Sequence, residues 1–245
     1  MKRGMAGSLQ QVLVLGARTT RRAGVLIGIL AVFGMGTPLA AAEPADGRAE
    51  KTLVFVGELV SIEPLPNPCD EEQKRTGTLG CIFLDALYRA RYRVVQPVIG
   101  TPAGAEVTFQ VADHYGFPPF ASTRHALLFV AVTDDGHWLH KYQGIPMYLT
   151  TDGRWAACGE VDRRVPPARA RSLGFAEPIA LQASMPPETW ERMLPAWEER
   201  RDLYRIKDGQ VHCLKGVPLK ETYGIVRRGV MKARDVTLPP WPAGP

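Results

Sequence analysis

The sequence lacks every motif that would place it in a well-known enzyme class. It has no G-x-S-x-G nucleophile motif, no P-loop, no H-E-x-x-H metal motif and no G-x-G-x-x-G dinucleotide motif. It also lacks C-x-x-C spacing, so a zinc site built on cysteine pairs is not predicted. The composition, 45% hydrophobic and 22% charged, is that of a globular protein and excludes collagen-like, coiled-coil and fully disordered chains.

A surplus of charge is also missing from most of the chain. The formal net charge is +5, and residues 1–42 contain five basic residues and no acidic one. The rest of the chain therefore carries 25 basic and 25 acidic residues. Nucleic-acid affinity depends on neutralising phosphates, so we expect no nucleic-acid partner. Tyr88, Tyr92 and the arginines between them do supply aromatic and basic side chains.

The first 42 residues are typical of an export signal. Their basic residues end at Arg21 and Arg22, an apolar stretch follows, and three alanines close the segment at positions 40–42. Small residues at such positions are what a signal peptidase reads. We therefore predict a signal peptide over residues 1–42, cleavage between Ala42 and Glu43, and a periplasmic or secreted mature protein.

Two alternatives to this interpretation stay open. The 20 uncharged residues of Ala23–Ala42 are long enough to span a bilayer as an anchor. Several glycines and Pro38 weaken such a helix, so we expect no stable membrane insertion after signal removal. The segment Thr20–Val25 resembles the start of a twin-arginine signal. Because that route exports folded proteins and disulfides do not form in a reducing cytosol, we favour the general secretory route.

Four cysteines lie beyond the predicted signal, at positions 69, 81, 158 and 213. An even number in an exported chain indicates disulfide bonds, and four cysteines allow three pairings. Cys69 and Cys81 bracket a polar loop with no apolar residue to hold it in place, so a bridge would fix that loop. We predict the pairs Cys69–Cys81 and Cys158–Cys213, the second tying the C-terminal region to the preceding domain.

Residues 43–160 carry strand signals and little helical periodicity. Strands are expected at 52–62, 88–94, 107–111, 126–132, 138–149 and around Trp155. Gly57 is the expected site of a bulge or a tight bend, and the continuous apolar run at 126–132 predicts a strand buried on both faces. About six strands joined mostly by short turns predict a mainly β fold, a small antiparallel OB-like barrel with a C-terminal helical segment packed on it.

The C-terminal part differs in character. Residues 161–183 are expected to form a Pro- and Arg-rich linker, and residues 184–237 a helix with short strands packed on the barrel. The apolar face of that helix is expected to comprise Trp190, Met193, Leu194, Trp197 and Tyr204. Further strands are expected at 211–214 and 223–226, and residues 238–245 are expected to be a loose, extended Pro-rich tail.

The strand segments Val54–Ser61, Tyr92–Gly100 and Ala126–Val130 are followed by a late cysteine. This pattern resembles exported bacterial proteins with a netrin-like or TIMP-like OB barrel, over about half of the predicted mature chain. TIMP-type inhibitors chelate the zinc of a protease through an N-terminal cysteine. The predicted mature chain begins at Glu43 and has no cysteine before Cys69. The resemblance therefore implies the fold and not metalloprotease inhibition.

The histidines do not form a recognisable set of metal ligands. His137 and His140 are three residues apart, so in a strand they point to opposite faces and cannot bind one ion without a bend. The other histidines are scattered: His114, His125 and His212. Ser122 and His125 supply a nucleophile and a base but no third residue to orient them. The sequence predicts no metal site and no cofactor, and it identifies no catalytic residue.

Two hypotheses for the function remain. The first is an exported non-catalytic binding or structural protein of the cell envelope, whose barrel binds a protein, a peptide or an envelope component through its loops. Residues 63–85 are the candidate, because a loop of that length is usually functional or disordered.

The alternative is a small periplasmic hydrolase or metal-dependent enzyme with a scattered site. A pocket that holds two or more of histidines 114, 125, 137 and 140 with acidic residues would favour it. An apolar patch around Trp190 and Trp197 would favour the binding protein.

Overall fold

The computed structural model describes residues 51–78, 80–161, 170–179, 188, 191, 195, 198–208 and 210–242. They belong to one compact unit, residues 48–245. The described strands are β1 (Lys51–Leu65), β2 (Ala86–Ile99), β3 (Glu106–Asp113), β4 (His125–Thr133), β5 (Gly136–Pro146), β6 (Tyr148–Leu149), β7 (Trp155–Cys158), β8 (Arg171–Ser172), β9 (Tyr204–Lys207), β10 (Gln210–Cys213) and β11 (Lys215–Pro218). The helices described in full are α1 (Pro68–Thr76) and α2 (Leu219–Val226). The predicted signal and its cleavage site lie outside the described residues.

Five strands form a closed barrel in the order β1-β2-β3-β5-β4. Neighbouring strands pair antiparallel, except that β3 and β5 meet in parallel at Gln110 and Trp138. This parallel contact closes the barrel and was not part of the sequence-based expectation. The register of β1 on β2 shifts between Val56 and Gly57, so the ladder is irregular where it was expected to be, but the extra residue is Val95 of β2 and not Gly57. The mainly β fold with a small barrel is confirmed.

The barrel interior follows from the alternation of side chains along its strands. In β2, Ala90 and Tyr92 are fully buried whereas the arginines beside them are exposed. The interior also contains Phe55 of β1, Phe109 of β3 and Leu128 of β4. Because the side chains that point outward from β2 are charged, this part of the barrel wall faces water.

A second apolar layer covers the outer face of β1 and β4. Val54 and Leu127 point away from the interior and are fully buried by the C-terminal segment. Tyr223 of α2 stacks on Phe129 with ring centroids 6.1 Å apart. The run at 126–132 is thus buried on both faces, as predicted, and the C-terminal helical segment packs on the barrel.

Two elements of the C-terminal part differ from the prediction. Residues 223–226 end α2 and do not form a strand, because Leu219, Tyr223 and Val226 recur at helical spacing and face the outer layer. Tyr204 begins β9 and is not on a helix, because its backbone pairs with Cys213 of β10.

The remaining residues of the predicted helical face lie outside the described residues: Trp190, Met193, Leu194 and Trp197. The described positions of that stretch that have helical backbone are Glu188, Glu191, Pro195, Glu198 and Glu199. Within the predicted linker, β8 pairs with β11, and Ile179 bridges Val211 of β10. The described residues of the predicted linker are therefore paired with strands of the C-terminal part.

The end of the chain is packed, so the expectation of a loose tail is wrong for residues 238–242. Leu238 is buried in the outer layer, and the Trp241 ring meets Tyr223 edge-on at 5.6 Å. The Tyr223 hydroxyl donates a hydrogen bond to the Pro239 carbonyl at 2.6 Å. Apolar side chains between the prolines supply this anchoring.

Candidate functional site

Both predicted disulfide bonds are present. Cys69 pairs with Cys81, and Cys158 pairs with Cys213. The first bond closes a short segment between β1 and β2, within the predicted loop at 63–85. The second joins the end of β7 to the end of β10. The stretch at 63–85 is therefore covalently fixed at its centre.

Part of the predicted polar loop is the helix α1. The Asn67 side chain accepts a hydrogen bond from the Cys69 amide at 2.9 Å, and Pro68 occupies the first helical position. Gly77 ends the helix in the left-handed conformation, with φ of 73°. Acidic residues in the first turn and basic ones in the last suit the helix dipole. The expectation of a loop is wrong for these residues.

The chain that follows α1 presents two aliphatic side chains to solvent. Ile82 is 79% exposed and Leu84 is 72% exposed. The backbone between them is held, because Cys81 is in the disulfide bond and Asn67 donates to the Phe83 carbonyl at 3.0 Å. Two large apolar groups therefore project from a fixed backbone.

Asp85 joins this segment to two other parts of the barrel. Its carboxylate accepts a hydrogen bond from Lys141 Nζ of β5 at 2.6 Å. It also lies 3.5 Å from His114 Nδ1, in the turn after β3. The hydrogen bond with Asp85 raises the pKa of the Lys141 ammonium above its usual value. Residues distant in sequence are thereby brought to one end of the barrel.

Two exposed tyrosines extend the same region. Tyr115 is 76% exposed and its ring lies 5.8 Å from that of Tyr142, which is 42% exposed. Lys141 Nζ lies 5.5 Å from the Tyr142 ring centroid, a cation–π arrangement. We call this region the stapled-loop surface, and it comprises Ile82, Leu84, His114, Tyr115, Lys141 and Tyr142.

Tyr142 has a backbone conformation that L-residues rarely adopt, with φ of 64°. The Lys141 carbonyl before it accepts hydrogen bonds from Gln143 Nε2 at 3.2 Å and from Arg234 Nη1 at 2.9 Å. Strained backbone of this kind concentrates at functional sites. Here the C-terminal segment helps to hold the aromatic side chain at the surface.

A buried carboxyl supports the turn behind the tyrosines. Asp113 ends β3 and is almost fully buried, and its side chain accepts a hydrogen bond from the Tyr115 amide at 2.8 Å. Burial raises the pKa of the Asp113 carboxyl above its usual range. The position of Tyr115 therefore depends on a side chain in the barrel interior.

A separate cleft of about 330 Å³ lies beside β7 and contains one histidine. The His125 ring lies 4.7 Å from the Trp155 ring, and burial lowers the pKa of His125 below its usual range. Arg124 and Glu177 also line the cleft. Because it holds only one of the four histidines named above, this cleft does not meet the criterion set for an enzyme.

Ser122 and His125 do not form a nucleophile–base pair. The Ser122 hydroxyl is fully buried and has no hydrogen-bond partner among the described residues. His140 Nε2 lies 3.0 Å from the Thr52 hydroxyl, and His212 is in β10. Across the described ranges, no three histidine, cysteine, aspartate or glutamate side chains are grouped closely enough to hold a metal ion.

No helix among the described residues is long and apolar enough to cross a membrane. Comparison with models of protein families, with curated proteins and with solved structures finds no match to this chain. We therefore infer the function from the geometry of the stapled-loop surface and from the pattern of the sequence.

Proposed function

We propose that the protein is an exported, non-catalytic binding protein of the bacterial cell envelope, and that a protein partner docks on the stapled-loop surface. The observation that carries this proposal is the exposure of Ile82 and Leu84 on a backbone fixed by a disulfide bond. Large apolar side chains that are exposed together are typical of interaction sites.

The chemistry of the surface fits a protein better than a small molecule. A cleft of about 300 Å³ is lined by Tyr142, but neither this cleft nor the one beside β7 is lined by Ile82, Leu84 or Tyr115. Small ligands need a concave site that buries most of their area. Tyrosines beside aliphatic residues are the composition of interaction hot spots. A fixed backbone also reduces the entropy lost on binding, which increases affinity.

Two features support export and the family-level expectation. Disulfide bonds persist in oxidising compartments, and both pairs of this chain lie beyond the predicted signal peptide. The closed five-stranded barrel supports the netrin-like or TIMP-like OB resemblance. Because the predicted mature terminus at Glu43 lacks a cysteine, we do not extend the resemblance to protease inhibition.

The docking surface is tested by replacing its aliphatic side chains. We expect the double variant I82S/L84S to lose the proteins that are crosslinked to wild type in cell-envelope extracts. The matched control is V60S/V95S, because Val60 and Val95 are also exposed, at 40% and 42%, but lie on β1 and β2. The control should retain every partner, and both variants should keep the thermal midpoint of the wild type.

Comparing the two variants shows whether partners bind the stapled-loop surface specifically or bind any exposed apolar residue of the barrel. If I82S/L84S captures the same proteins as the wild type, the stapled-loop surface is not where a partner docks. Equal losses in both double variants would also contradict the proposal, because the apolar character of the whole barrel would then be responsible.

A further inference from the structure

Another cleft is formed by the residues that follow α2. Its volume is about 500 Å³ and it is lined by Arg227, Arg228, Lys232, Asp235, Val236, Thr237 and Leu238. The helical backbone that continues from α2 is kinked within Arg227–Met231, where Gly229 has the non-helical angles φ −94° and ψ −106°. We call this site the C-terminal cationic cleft.

The cations of this cleft are Arg227, Arg228 and Lys232. Within the part of the chain that the structure describes, none of the three forms an ion pair. The Arg227 guanidinium donates a hydrogen bond to the Leu238 carbonyl at 3.4 Å. Elsewhere on the barrel, by contrast, Arg93 and Arg124 both pair with Glu58. The cleft is thus a local excess of positive charge in a chain whose predicted mature part is balanced.

The backbone of α2 leaves room for one of these cations. A Cβ placed on Gly224 would lie 3.0 Å from Arg228 Nη1, so the guanidinium rests against the helix where the side chain is absent. A guanidinium presents several donors in a fixed plane that matches the oxygens of a phosphate. Lys232 adds a point charge, and Val236 and Leu238 supply an apolar wall.

We propose that the C-terminal cationic cleft binds the phosphate group of an anionic ligand. Arg227, Arg228 and Lys232 provide the charge, and the Thr237 hydroxyl provides a neutral hydrogen bond. Asp235 lines the same cleft and opposes an anion, so it limits the affinity. The free phosphate ion and the headgroup of an anionic phospholipid both present this chemistry.

The test compares two variants of equal charge by calorimetry with inorganic phosphate and by sedimentation with phosphatidylglycerol vesicles. R228Q/K232Q removes two cations from the cleft and should weaken binding about tenfold. R89Q/R205Q removes two exposed cations from β2 and β9 and should bind as the wild type does. D235N should strengthen binding about threefold, because it removes the opposing charge.

The two probes distinguish a soluble phosphate ligand from a lipid headgroup. Binding to phosphate alone assigns a soluble phosphate ligand, whereas binding to phosphatidylglycerol but not phosphatidylcholine vesicles assigns a lipid headgroup. Absence of both, or an equal loss in R89Q/R205Q, overturns the proposal. The variant I82S/L84S should bind these probes normally, so failure here and failure of the docking surface are distinguishable.

Discussion

Gly57 lies where two aromatic rings of the barrel interior approach the backbone of β1. A Cβ at this position would lie 2.9 Å from the Phe55 ring and 3.0 Å from the Tyr92 ring. Tyr92 is fully buried, and burial raises the pKa of its hydroxyl. Neither ring has free volume into which it could move, because both belong to the interior core.

The variant G57A should therefore be less stable than the wild type. We expect the free energy of unfolding to fall by about 1–3 kcal/mol, which is typical of overpacking a core. Urea unfolding followed by fluorescence measures the change. G104A is the matched control, because the nearest atom to a Cβ on Gly104 is 4.0 Å away. Its stability should stay within about 0.5 kcal/mol of wild type, and an equal loss in both would contradict the packing argument.

At the scale of elements, the two disulfide bonds constrain segments of very different length. Cys69–Cys81 spans a separation of 12 residues and holds the segment that carries Ile82 and Leu84. Cys158–Cys213 spans 55 residues and ties β7 to β10. Because the unfolded chain loses more freedom when a longer loop is closed, the two bonds should differ in their contribution to stability.

Removing each bond by paired serine substitutions should show this order. C69S/C81S should lower the free energy of unfolding by about 3 kcal/mol and C158S/C213S by about 4 kcal/mol, by the chain-entropy relation. Chemical denaturation of each variant against the wild type makes the comparison. A larger loss for the short bond would show that loop length does not decide their ranking.

The sequence pattern predicts the strands of the barrel better than it predicts the segments that connect them. The period-2 pattern at 88–94 and the apolar run at 126–132 report burial directly, because each side chain alternates across a strand. The sequence does contain the residues that typically begin and end a helix at α1: Asn67 before Pro68, and Gly77 after the last turn. Its lack of apolar residues made it resemble a loop, since helical periodicity is visible only where one face is buried.

Other features of the site depend on contacts between distant residues. Asp85 meets His114 and Lys141 only because the barrel closes. The cysteine pairing could be predicted, because the short polar segment between Cys69 and Cys81 needed a constraint. Tyr142 is exposed and has an unusual backbone angle, and the local sequence gives no signal for that angle.

At the scale of the whole molecule, the barrel is covered on one flank and charged on the other. The outer faces of β1 and β4 lie under α2 and the residues after it, whereas β2 presents arginines to water. The described barrel begins at Lys51, after the predicted cleavage site at Ala42 and Glu43. Removal of residues 1–42 would therefore leave every described strand intact.

Residues 1–42 should be removed during export. Protein recovered from the cell envelope should have the intact mass of residues 43–245, measured by mass spectrometry. A42R should block this cleavage because the peptidase needs a small residue there, whereas A41S should be processed normally. A full-length wild-type chain that stays in the membrane fraction after carbonate washing would contradict the prediction.

The packed C-terminal tail has a consequence for how the protein is made. Chains are synthesised from the N-terminus, so β1 and β4 are complete well before Leu238 and Trp241 exist. Until the residues from Leu219 onward are made, Val54 and Leu127 lack the cover that α2 and Leu238 supply. A chain that stops before Leu219 would therefore expose the apolar outer faces of β1 and β4 to solvent.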